Sequence, residues 1–261
     1  MSEQRINILA GVRAAYQFAP MAAPRAAAPL AISVVAGILA VVGQRLNAGL
    51  WLTPVFALTL LAGPWAYAAL YRIAFEGENG LIPAPWGLAW AAPEQRALVA
   101  ALLILLIVVL VTVAALFGGL LLGNVLFATV GGGKDLTLAR WWMIGSAAVI
   151  VVLGLAWVLA RLSLALPASV ASGGVQVFTT WALTKGETIR LLAAGLLVGA
   201  PAVVMQTLVI GSAWLRGGPH DGVDLGLRAV AAAVDAGIQV PLWAGFGAYA
   251  YRMLRRPTVE S

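Results

Sequence analysis

The chain has no cysteine and a single histidine, His220. Without cysteine there are no disulfides, no thiolate metal sites and no thiol nucleophile. One histidine excludes any centre built on two imidazoles. Charge is scarce too: 10% of the 261 residues are charged, against 62% hydrophobic. Soluble domains carry about a quarter charged residues. A soluble globule of this length has too little interior to hide so much apolar surface. Lipid is therefore the expected solvent for much of the chain, as the mean hydropathy of +0.96 also indicates.

Other absences narrow the function. There is no HExxH pair for zinc and no GxSxG nucleophile elbow. Ser212 and His220 alone do not make a hydrolase, because both are expected at the outer loop. Gly131, Gly132 and Gly133 precede Lys134 and Asp135 without the GKS or GKT ending of a phosphate-binding loop, so they read as a tight turn. The net charge is +6, but the basic residues are scattered singly, with no stripe or nucleic-acid motif. No enzyme activity, cofactor, metal or nucleic-acid partner is expected. The expected partner is the lipid bilayer.

What the chain does contain is a series of long apolar runs. They predict an all-α, polytopic transmembrane bundle of about six spans in a single domain, residues 1–261. The spans are expected at about 26–42, 50–71, 97–119, 141–160, 188–215 and 225–253. Pro54 and Pro64 are expected to kink the second. The uncharged stretch from Ala97 to Val130 would be about 51 Å long as one helix, too long for a simple crossing. A break or bend is expected near Gly118-Gly119 or Gly123-Asn124. Residues 1–19 lack the apolar block and cleavage site of a signal peptide, so the first span is expected to direct insertion.

Two further segments are expected to lie along the membrane surface. Residues 2–18 form an amphipathic helix with Ile8, Leu9, Val12, Ala15 and Tyr16 on one face, ended by Pro20. Residues 175–183 form the second. Eleven Lys and Arg fall on one side of the six spans: Arg5, Arg13, Arg25, Arg72, Arg96, Arg161, Lys185, Arg190, Arg252, Arg255 and Arg256. Arg45, Lys134, Arg140, Arg216 and Arg228 fall on the other. The more basic side, which holds both termini, is expected to be cytoplasmic.

Polar groups inside the spans are the candidates for function. Asp235 is the acidic residue placed deep in a span, roughly 8 Å from the middle of the sixth helix by the helical rise. It suits a proton or cation relay, or a structural carboxylate that is protonated, bonded to a neighbouring helix or paired with Arg228. Pro201 and Pro241 lie near the middles of spans five and six, close to Gln206 and Gln239. A transporter uses broken helices of this kind as a binding site, whereas ordinary kinked helices satisfy their own amides. Gly119–Gly123 and Gly195–Gly199 form GxxxG patterns, expected to serve packing within the chain rather than dimerisation.

One motif sits at a proposed cytoplasmic surface. Arg161 caps span four, Pro167 turns the chain, Trp181 anchors an amphipathic helix beside Lys185, and Gly186 releases it into span five. The run Arg161-Leu162-Ser163-Leu164-Ala165-Leu166-Pro167-Ala168 followed by Trp181-Ala182-Leu183-Thr184-Lys185-Gly186, together with Val12-Arg13-Ala14-Ala15-Tyr16-Gln17-Phe18, resembles a bacterial multi-pass family. That family includes the YciC-like proteins and the membrane domain of some glycerophosphodiester phosphodiesterases. An acidic residue common in it after the "PA" turn is replaced here by the Ser172-Gly173 region. The resemblance implies a six-span bundle in the bacterial inner membrane without catalysis of its own. The leading expectation is a non-enzymatic scaffold or accessory factor of the cell envelope. The alternative is a small transporter or channel using Asp235, Gln206 and Gln239 with kinked helices five and six.

Overall fold

A computed structural model describes residues 5–46, 49, 52–78, 81–130, 136–215 and 222–255. It is an all-α bundle, and no strand occurs among the described residues. Five helical stretches are long and apolar enough to cross a membrane: Pro24–Arg45, Leu52–Ala74, Pro85–Gly119, Ala148–Ala171 and Gly222–Arg255. Thr188–Val198 and Ala200–Ser212, bent by 58° at their junction, make a sixth when taken together. The turn expected at 131–133, and with it Lys134, Asp135 and His220, lies outside the described residues.

The helices are α1 (Ile8–Ala22), α2 (Ala27–Arg45), α3 (Leu52–Ala74), α4 (Ala92–Val130) and α5 (Leu136–Leu162). The short α6 (Ala165–Ala171) and α7 (Thr179–Leu183) come next. After them come α8 (Thr188–Val198), α9 (Ala200–Leu215), α10 (Gly222–Val234), a π-helical turn (Asp235–Gln239) and α11 (Val240–Arg255). The interior is lined by small residues: Ala15, Ala36, Ala66, Ala68, Ala97, Ala194, Ala244 and Ala250 are all buried. Large apolar side chains such as Leu110, Phe117, Ile150, Leu153 and Leu196 point outward. This inverts the soluble pattern. Helices surrounded by lipid gain little from hiding leucine, so close backbone approach over small residues holds them together.

Several expectations change. α4 is helical without interruption for 39 residues, about 58 Å, through both glycine pairs. Glycine alone does not break a helix when the flanking residues are as apolar and helix-compatible as Leu120–Leu122. Pro54 falls in the first turn of α3, where its missing N–H costs nothing, and Pro64 lies within a continuous helix.

The first interfacial helix is also different. α1 starts at Ile8, capped by the Asn7 side chain, and continues past Pro20 to Ala22. Its buried face is Gly11, Ala15 and Ala22, while Leu9 and Tyr16 are exposed. That face lies on α11 and α8. At Gly245 of α11 a Cβ would come 2.9 Å from Phe18, so the close approach requires glycine. The second interfacial helix shrinks to the five residues of α7, and α6, unforeseen, forms just before it. Ser172, Gly173 and Gly174 interrupt any longer helix there, with Gly173 at φ +80°.

Candidate intramembrane binding site

Spans five and six are both irregular at one level. In span five, Pro201 has no N–H to donate to the carbonyl one turn back. The chain resolves this by ending α8 at Val198 and starting α9 at Ala200. Pro201 then occupies the first turn of a new helix, where no donor is needed. In span six, Pro241 creates the same vacancy. There the preceding turn widens, and Val240 N–H donates to Asp235 C=O, five residues back. Widened turns of this kind occur often at functional sites.

Gln239 joins the two irregularities. Its Nε2 donates to the Val198 carbonyl at 3.1 Å, satisfying the end of α8. Gln239 is 4% exposed, yet its Oε1 has no hydrogen-bond partner among the described residues. Beside it, Gly195 of α8 faces Trp243 so closely that a Cβ would come 2.8 Å from the indole. The Gly195–Gly199 pattern thus serves packing within the chain. Gly119 of the other pattern has open space around it, and the side of Gly123 lies outside the described residues.

Between these helices, α3 and α5 lies a cavity of about 600 Å³. Tyr67, Tyr71, Trp243 and Phe246 form aromatic walls, and leucines from α5, α6 and α8 form much of the rest. Asp235 and Gln239 both line it. Leu159, Leu196 and Val203, which also line it, are exposed on the outside of the bundle, so the cavity opens sideways between α5 and α8–α9. The volume falls within the roughly 300–1,000 Å³ of small-molecule sites. No Lys, Arg or His lines it among the described residues.

Asp235 is not the partner of Arg228. Arg228 Nε binds Asp224 at 2.9 Å, one turn away on α10. Six carboxylates occur among the described residues, and Glu76, Glu78, Glu94, Glu187 and Asp224 are all ion-paired. Asp235 alone makes neither an ion pair nor a hydrogen bond among the described residues, and sits close enough to Tyr67 to act on it electrostatically. Gln206 does not join this site. It lies one turn further along α9, in a separate cleft with Gln44, Asp224 and Arg228. Four residues C-terminal to Ala202, it has drifted away from the cavity once α9 takes its own direction.

The surface motif forms a clamp at the end of the bundle that carries both termini. Arg161 Nη1 donates to Trp181 C=O at 2.9 Å, and its guanidinium lies 5.2 Å from the Trp157 ring and 5.4 Å from the Trp181 ring. The two indoles meet edge-on at 5.1 Å. Pro167 is buried within α6, Lys185 is exposed, and Gly186 takes φ +85° in the turn into α8. Beyond it, the Glu187 carboxylate accepts from Ile6 N–H at 3.1 Å and binds Arg190 at 2.8 Å.

The same end holds pairings that the sequence did not reveal. Glu94, 1% exposed, receives Arg72 Nη2 at 3.0 Å and the Ala91 N–H at 2.8 Å, with Arg72 Nε 2.7 Å from its second oxygen. Arg25 binds Glu76 and Arg252 binds Glu78, each at 2.7 Å. These pairs are separated by up to 174 residues, and no local pattern announces them.

No family model, curated protein or solved structure matches the chain, and no family is assigned to it.

Proposed function

We propose that the chain is a small membrane transporter that takes an amphiphilic molecule sideways from the bilayer into the cavity between α3, α5, α8–α9 and α11. One observation carries this reading. The proline-broken span five and the widened turn of span six meet at a laterally open cavity of about 600 Å³, lined by the exposed Asp235, unpaired among the described residues, and by the buried Gln239 with its open oxygen. Transporters place discontinuous helices at their binding sites in this way. Uneven Lys and Arg counts support an inner-membrane orientation with both termini cytoplasmic. Arg5 and Leu254 lining one cleft support termini on a common side.

Photo-crosslinking tests it. The protein is reconstituted in proteoliposomes with an amphiphile carrying a diazirine in its apolar part. Labelling is expected on α5, α8 and α11 peptides around the cavity, and Ala202→Phe, which fills it, is expected to remove that labelling. Labelling spread evenly over the outward-facing helix surfaces and insensitive to Ala202→Phe would overturn the reading.

A scaffold role has one specific support, the Arg161–Trp157–Trp181 clamp, which fixes a surface segment of the kind partner proteins dock on. Pull-down of a defined envelope partner, lost in Arg161→Ala and kept in Ala202→Phe, would favour it.

A further inference from the structure

We infer that the ligand of this cavity is an apolar monocation, a protonated amine on a hydrophobic body, with Asp235 as its counter-ion. This rests on the cavity being a binding site and names its ligand. The argument is one of complementarity.

Two acceptor groups in the cavity lack partners among the described residues. Asp235 contributes a carboxylate without a partner among the described residues. Gln239 contributes Oε1, buried and open, while one of its two amide N–H donors is engaged by Val198 C=O. The Ser163 hydroxyl is also engaged, by Ala160 C=O at 2.8 Å. No cationic side chain is present to neutralise Asp235. A ligand that satisfies these atoms must bring hydrogen-bond donors, and one that offsets the carboxylate must bring positive charge.

The walls agree with that demand. Tyr67 and Trp243 present aromatic surface beside the two acceptors, and π faces attract cations. Asp235 in the widened turn and Gly247 on α11 bound the cavity, so it runs about 18 Å along the sixth span. Its remaining lining is chiefly leucine, alanine and glycine. An ammonium group at the Asp235 level and an apolar body along the rest fill both parts. An anionic amphiphile would meet Asp235 with no counter-charge, and a neutral one would leave the carboxylate unbalanced.

The test uses the purified full chain in nanodiscs of zwitterionic lipid, with empty nanodiscs subtracted. Three probes share one naphthylpropyl body and end in a primary amine, a trimethylammonium or an alcohol. The amine is expected to bind at least about tenfold tighter than the alcohol, the scale of one charge-assisted hydrogen bond. The trimethylammonium should fall between them, keeping charge but losing donors. Asp235→Asn should reduce amine affinity to that of the alcohol while leaving the alcohol unchanged. Equal binding of amine and alcohol to the wild type, with both lost in Ala202→Phe, would overturn the cation assignment and leave the cavity reading intact. Binding of no probe above empty nanodiscs, or binding indifferent to Ala202→Phe, would overturn both.

Discussion

The end of the bundle that carries the termini and the cavity at its centre treat carboxylates in opposite ways. At the terminal end Glu76, Glu78, Glu94 and Glu187 each face an arginine, and Glu94 and Glu187 are bonded to backbone N–H groups as well. In the centre Asp235 has neither, and Gln239 leaves an oxygen open. Arginine is abundant in this chain, so the supply of partners does not explain the contrast. At the terminal end the fold itself supplies each carboxylate with a cation, although Glu94 Oε1 has an ion-pair contact and no hydrogen bond among the described residues. On the proposed reading, the partner of Asp235 comes from outside the fold.

The largest expected effect comes from breaking the buried pair at the terminal end. Glu94→Ala should destabilise the protein by about 3–5 kcal/mol by stranding the Arg72 guanidinium. The companion double variant Arg72→Met with Glu94→Met should recover most of that loss. Thermal unfolding in detergent micelles measures both, and a mild Glu94→Ala would mean that Arg72 finds another partner.

Next comes the joint between the broken spans. Gln239→Leu removes the donor to Val198 C=O and should cost about 1–2 kcal/mol. The exposed clamp ranks below it: Arg161→Ala should cost about 1 kcal/mol through its two indole contacts and hydrogen bond. Increased proteolysis between residues 172 and 186 would accompany it.

Asp235→Asn sharpens the comparison from the other side. Removing a carboxylate that makes no ion pair or hydrogen bond among the described residues should leave thermal stability unchanged or slightly raised. A loss comparable to that of Glu94→Ala would show that Asp235 belongs to the architecture. Smallest of all, Arg25→Ala should change stability by less than about 1 kcal/mol, because both members of its pair with Glu76 are about half exposed.

The spans were legible because crossing a bilayer demands length and apolarity, both of which are local properties. The irregularities at Gly199 and at 235–239 were legible too, because Pro201 and Pro241 cannot donate wherever they sit. Apolar faces misled at α1. In lipid the bulky residues Leu9 and Tyr16 turn outward, and Gly11 and Ala15 turn in. Gln206 misled for a related reason: nearness in sequence to Pro201 carries no information about which cleft a residue one turn further along α9 lines. The Arg–Glu pairs were invisible, since partners such as Arg252 and Glu78 are chosen by tertiary packing alone.

The contact of α1 with α11 has a consequence for how the protein is made. The first helix in the chain lies against the last. Translation delivers roughly 5–20 residues per second, so α1 waits on the order of ten seconds or more before its partner exists. During that interval its Gly11–Ala15–Ala22 face has nothing from α11 to rest on. Docking of α1 on α11 is therefore a late event in biogenesis, and chains interrupted before α11 emerge with that seam unfilled.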